Sequence, residues 1–185
     1  MSAQGTPSSE DLDETALEDL IRGFLSKYKF LHEYRLQKLI YFAELFATES
    51  KDSRLTEADF KPFMYGAYSE DVSEKLEEME SEPDVATKTD MHHGKTVTAY
   101  LGQDIDESDV DPDAMDIISQ VHPSTQSESN EDLAQASKQS WLYQETPYSS
   151  EMDFDEYREK LDDGEINSDI DRFFPDLDID TDTTD

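Results

Sequence analysis

The sequence predicts a mostly helical α+β domain, with five to six helices around a central apolar helix at about residues 32–49 and one small antiparallel β-hairpin. The first observation behind this is Arg35 to Ala47, RLQKLIYFAELFA, where Leu36, Leu39, Ile40, Ala43, Phe46 and Ala47 recur at helical spacing. Tyr41, Phe42 and Leu45 carry apolar surface to the other side, and a helix apolar nearly all round is one that other elements wrap. The run is far shorter than the roughly 20 residues a bilayer crossing requires. The second is a series of capped segments with apolar residues on one face. The third is a pair of β-prone runs, Val85 to Met91 and Lys95 to Leu101, joined through His92-His93-Gly94.

In chain order, residues 1–14 are Ser, Gly, Pro and acid and read as an unstructured tail. Thr15 with Glu18 forms a capping-box pattern, each side chain able to satisfy a backbone N–H at a helix start. Leu17, Leu20, Ile21, Phe24, Leu25 and Tyr28 follow on one face, so this helix and the central one should form an antiparallel hairpin. After a loop at 50–55, Thr56 can cap one helical turn to Asp59. Phe60 to Tyr65 reads as extended, since Lys61 precedes a proline, and Gly66-Ala67-Tyr68 reads as a turn. Ser69 then caps a helix to about Glu80 that buries Val72, Leu76 and Met79, and Pro83 prevents its continuing. The hairpin that follows is marginal alone, so Phe60 to Tyr65 or the helices should cover it.

Asp104 to Asp116 holds seven acids and no base and reads as a solvated loop. It leads into a helix capped by Asp111, with Pro112 in its first position, Met115, Ile118 and Val121 on one side, and His122-Pro123 as its end. A helix from about Asn130 to Trp141, a turn at Thr146-Pro147-Tyr148 and a short helix from Phe154 to Leu161 complete the body. From Gly164 to Asp185 the net charge is −7, which reads as a mobile tail with Phe173 and Phe174 as a docking spot. One domain, residues 15–163, is expected between acidic tails at 1–14 and 164–185.

Fifteen Lys and Arg stand against 47 Asp and Glu, a net −32 in 185 residues. Such a surface repels itself over a Debye length of about 10 Å at about 0.1 M salt, which molar salt shortens to about 3 Å. The acid is spread over every segment, as in a proteome adapted to a salty cytoplasm, so the expected source is a haloarchaeon or its virus. Arg22 to Lys61 is the exception, with eight basic residues against six acids. Neutralising acids packed nearby is the simpler role for them, and a docking face for an acidic partner the other. No Lys, Arg or apolar run occurs in the first 21 residues, so no signal peptide is read and a cytoplasmic location is expected.

The absence of Cys removes disulfides, Cys-based zinc sites and thiol nucleophiles together. Gly94-Lys95-Thr96 ends like a phosphate-binding loop, but Thr89 stands where the first glycine belongs and a strand follows instead of a helix. Asp109, Asp111 and Asp113 match the start of a calcium loop, yet Ala114 and Gln120 occupy the positions of the turn glycine and the bidentate Glu. His92 and His93 are adjacent and point to opposite faces of a strand, while His32 and His122 have no ligand-type neighbour in sequence. No GxSxG, HExxH or GxGxxG occurs. No enzyme activity, cofactor or metal is therefore expected, and the overall charge disfavours nucleic acid.

The order LQKLIYFAELF, LTEADFKPFMYGAYSEDV and SWLYQETPYSSEMDF resembles the Panacea domain, the family of SocA-like antitoxins and related phage-associated proteins, over about Ala16 to Leu161. Leu36, Lys38, Leu39 and Tyr41 match the family's central helix, Tyr65 and Gly66 its Tyr-Gly-Pro segment, and Trp141 its late tryptophan. Ala67 stands in place of the proline, and Ser137 to Ser140 occupy the region where a histidine often precedes the Trp. The resemblance implies a non-catalytic antitoxin-type module that binds a cognate toxin, typically encoded by a neighbouring gene, and neutralises it by contact or by delivery to a protease. Tyr65, Gly66, Tyr68, Trp141, Tyr143 and Tyr148 are the candidate partner-binding residues, with core packing the simpler expectation for Tyr65 and Trp141. The alternative function is a DNA-binding regulator using the locally basic region 22–61.

Overall fold

The computed structural model describes the backbone of residues 9–175 and the side chains of residues 15–175. Its architecture is the expected one, mostly helical α+β. The helices are α1 (Ser9–Leu25), α2 (Glu33–Lys51), α3 (Glu70–Met79), α4 (Pro112–Thr125), α5 (Asn130–Gln139), α6 (Trp141–Glu145), α7 (Phe154–Asp162) and α8 (Asp169–Phe173). The strands are β1 (Leu31–His32), β2 (Lys61–Phe63), β3 (Gly66–Tyr68), β4 (Val85–His92) and β5 (Lys95–Gly102). They form an antiparallel sheet in the order β1-β5-β4 and a separate β2-β3 hairpin.

Helix α2 is the axis of the molecule. Every residue from Leu36 to Thr48 is buried, and α1, α3, α4, α5, α7, α8 and strands of both sheets touch it. Ile40 and Phe42, on opposite sides of the helix, are each fully buried. That is the wrapped helix its composition demands, each large apolar side chain contributing about 1.5–3 kcal/mol by leaving water.

Expectation and structure part at several boundaries, each with a local cause. Helix α1 begins at Ser9 and not at Thr15. Acids near a helix N-terminus complement its dipole, so Glu10 to Glu14 favour the helix they had seemed to exclude. The remainder of the expected N-terminal tail, residues 1–8, lies outside the described residues. No helical turn forms at Thr56 to Asp59. The N–H groups of Leu55 and Thr56 donate instead to the fully buried Glu44 carboxylate (2.7 and 3.2 Å), as do Thr56 Oγ1 and Arg54 Nη2 (2.7 Å). The Arg54 guanidinium also lies 4.2 Å from the Phe154 ring centre and donates to Ala58 O at 2.7 Å. A buried ion pair offsets its desolvation only with such hydrogen bonding, and here it pins the 52–60 loop to α2.

Helix α4 runs past His122-Pro123 to Thr125, because a proline this close to the end forfeits little helical hydrogen bonding. The helix expected from Asn130 to Trp141 breaks at Ser140, which leaves helical geometry (φ −68, ψ 150) to cap α6. The β4-β5 hairpin forms where expected but with a tighter turn: His92, expected in the connection, pairs with Lys95 across His93 and Gly94, both at positive φ. β1 extends that sheet, and helices α1 and α2 cover it while Phe60 to Tyr65 does not.

The expected C-terminal tail is folded as far as Pro175, beyond which the chain lies outside the described residues. Ser168 caps α8, Ile170 is fully buried, and the Phe174 ring packs edge-on against Phe42 at 5.1 Å. Glu49 of α2 ties the segment down, accepting hydrogen bonds from Ser168 Oγ, Tyr157 OH (2.6 Å) and Ile170 N (3.3 Å). Ile166, Ile170 and Phe174 supply enough apolar surface to dock despite the acids between them.

Candidate functional site

Gly66-Ala67-Tyr68, expected as a turn, is strand β3. The turn lies one step earlier at Met64-Tyr65, with Lys61 paired to Tyr68 and Phe63 to Gly66. Gly66 sits at φ +111, where a Cβ would fall 2.3 Å from Ser137 Oγ and 3.0 Å from Lys38 Cε. Only glycine lets the hairpin close onto α2 and α5.

Polar contacts then clamp the hairpin on all sides. Ala67 N–H donates to Ser137 Oγ (3.2 Å) and Ala67 O accepts from Lys38 Nζ (3.1 Å). Gln37 bonds both the N–H and the C=O of Ser69, each at 2.9 Å. On the outer edge, Pro62 O accepts from Ser149 N (3.0 Å), Phe60 O from Met152 N (2.8 Å) and Phe63 O from Tyr143 OH (2.7 Å). Ala67 and Ser137 meet here: a proline at 67 would have no N–H for Ser137 Oγ to accept.

This rigid base holds an exposed aromatic and methionine surface. Met64 and Tyr65 are each 63% exposed and Tyr148 64%, while the Phe63 ring stands between Tyr68 (5.5 Å) and Tyr148 (5.6 Å). Beside them a pocket of about 280 Å³ is lined by Tyr34, Phe63, Tyr65 and Tyr68, with Lys38, Glu33 and Gln37 also contributing. Lys38 is 2% exposed. Its ammonium has one carbonyl and the Tyr34 ring, 4.6 Å away, as neighbours and, among the described residues, no carboxylate in ion-pair contact. Burial, reinforced by Lys138 and opposed by Glu33, brings its pKa down to about 8.

Of the six candidate residues, the structure gathers Tyr65, Gly66, Tyr68, Tyr143 and Tyr148 around this hairpin. Tyr65 is exposed, contrary to the core packing expected of it, because the turn carries it outward. Trp141 is elsewhere, half-buried beside Tyr157 at 6.0 Å, with its backbone N–H donating to Asp169 (2.8 Å). Tyr34 and Lys38 went unremarked as site residues in the sequence. Their signal is one of spacing, since residues four apart share a helix face and Lys38 is a charge inside an otherwise apolar stretch.

The basic residues of 22–61 are largely engaged within the molecule. Arg22 bonds Asp84 (2.8 Å) and Glu18 (3.1 Å), Lys27 pairs with Glu107 (3.1 Å), Lys51 with Asp116 (3.1 Å) and Lys61 with Glu70 (3.4 Å). Arg35 donates to Asn130 Oδ1 (2.9 Å) and Thr125 O (2.7 Å). His32, without a partner in sequence, meets Asp90 at 3.0 Å and the His92 ring at 5.5 Å. Among the described residues, no group of three or more His, Cys, Asp and Glu is placed to hold a metal ion, and no helix is long and apolar enough to cross a membrane.

Comparison with known families matches residues 36–142, more than half of the chain, to the family described as antitoxin SocA-like, Panacea domain. The matched stretch runs from α2 through the opening of α6 and contains the whole β2-β3 hairpin. Neither the curated proteins nor the solved structures contain a match.

Proposed function

Since the chain belongs to the SocA-like Panacea family, we propose that it is a non-catalytic, cytoplasmic antitoxin that neutralises a cognate toxin by direct contact or by presenting it to a protease. The toxin is the product of a neighbouring gene, and the contact surface is the aromatic face around Tyr65. The observation that carries this reading is the combination of exposure and rigidity there. Met64 and Tyr65 of the hairpin turn, and Tyr148 of the loop bonded beside it, are exposed on a hairpin held by backbone and side-chain hydrogen bonds on both edges. Large aromatics and methionine on a pre-ordered base are what protein interfaces use, because they bury area at little entropic cost. The alternative, a DNA-binding regulator, has less support, since most of the basic side chains it would use already bond groups of this chain.

Co-expression with each flanking gene product tests the proposal. One flanking product should arrest growth alone and be tolerated with this protein. The double variant Tyr65→Asp, Tyr148→Asp should lose protection with an unchanged melting temperature, since both side chains are exposed. Harmless flanking products, or full protection by the folded double variant, would remove the basis for this reading.

A further inference from the structure

Lys38 is the anomaly of this site. In a chain with 47 carboxylates, Lys38 is almost completely buried, yet among the described residues it makes no ion pair with a carboxylate. An ammonium carries three donors, and Ala67 O takes one of them. Four aromatic rings, those of Tyr34, Phe63, Tyr65 and Tyr68, line the pocket it shares. Gln37 is used in both directions by Ser69, Ala67 N–H by Ser137, and the Glu33 carboxylate at the pocket accepts from Gln37 Nε2 at 3.3 Å. The pocket thus offers largely aromatic walls and a buried ammonium with free donors, with the Glu33 carboxylate also lining it.

We propose that this pocket receives the C-terminal carboxylate of a partner polypeptide whose last residue is apolar. The carboxylate takes the donors Lys38 leaves free, and the terminal side chain lies among the tyrosines. This rests on the protein-binding function proposed above and names the part of the partner that is read. The volume, about 280 Å³, is at the lower limit for small-molecule sites and suits one residue better than a cofactor. A chain end fits better than an internal acid, whose flanking peptide groups would need hydrogen bonds this site does not have to give. A phosphate dianion fits poorly, with a single ammonium to meet it and Glu33 also lining the pocket. Charge complementarity favours the same occupant: an anion replaces the neighbour that the Lys138 charge and burial deny Lys38.

The test is an NMR titration of the full chain at molar KCl, following the backbone amides of Gly66 and Ala67. The probes are N-acetyl-Ala-Phe with a free carboxylate, its C-terminal amide, N-acetyl-Glu-Phe amide and inorganic phosphate. The free acid should give saturable shifts, and each other probe should bind at least tenfold more weakly. The pKa of Lys38, followed by its Cε resonance, should rise when the free acid is bound. Lys38→Met should reduce affinity at least tenfold. Should that variant fail to fold, Tyr65→Ala, which removes an exposed side chain, should weaken binding several-fold and keep the native spectrum elsewhere. Equal binding of acid and amide, of the internal Glu probe or of phosphate would overturn the proposal, as would undiminished affinity in either folded variant. None of these measurements needs a toxin, so the pocket and the antitoxin role can fail separately.

Discussion

Gly66 shows how one residue positions a surface. Its φ of +111 is a conformation that side-chain-bearing residues rarely adopt, and its missing Cβ is what Ser137 and Lys38 pack against. Gly66→Ala combines backbone strain with a clash against buried atoms, so it should cost about 1–3 kcal/mol for the strain alone and more with the clash. Urea unfolding would measure the loss, and a variant within about 0.5 kcal/mol of the native protein would contradict this account. The residue was legible in the sequence as part of a Tyr-Gly turn motif. Its contact with Ser137, 71 positions away, was not, because no local pattern records which helix a hairpin will fold against.

At the scale of elements, the C-terminal segment is the clearest case of local composition misleading. Its acids predicted a tail, but Ile170 and Phe174 dock on α2, Asp169 is drawn inside with them, and Glu49 is left half-buried beneath the segment. Burial pushes the Glu49 carboxyl above its ordinary value of 4.5, and three hydrogen bonds pull it only part of the way back. Asp169 is raised by burial in the same direction. The folded state then holds protons that the unfolded chain has released, so this contribution to stability is present at low pH and is lost as pH rises from the unfolded value through the folded one. Glu49→Gln removes that titration. The stability difference between variant and native protein should therefore shift in the variant's favour as pH rises above the ordinary value of 4.5. Trp141, the chain's one tryptophan, borders Tyr157 and Asp169 and supplies a fluorescence probe; a difference independent of pH would exclude Glu49 as the titrating group.

For the whole molecule the governing quantity is the charge of −32. Salt weakens surface ion pairs such as Lys27–Glu107, but each is worth only about 0–1 kcal/mol, whereas repulsion acts over the whole surface. The melting temperature should accordingly rise between about 0.1 M and about 2 M KCl, as calorimetry can establish, and a fall would mean that attractive pairs dominate. The sequence by itself determined the wrapped central helix, the β4-β5 hairpin and the caps at Ser69 and Asp111, because each follows from the periodicity or side-chain chemistry of a few adjacent residues. Only the tertiary structure decided that Tyr65 faces outward, that Trp141 lies apart from the other site residues, that Lys38 is buried without an ion-paired carboxylate among the described residues, and that the C-terminal segment as far as Pro175 joins the core. Those outcomes depend on which distant surfaces meet, and burial of apolar area there outweighs the local preference for solvent.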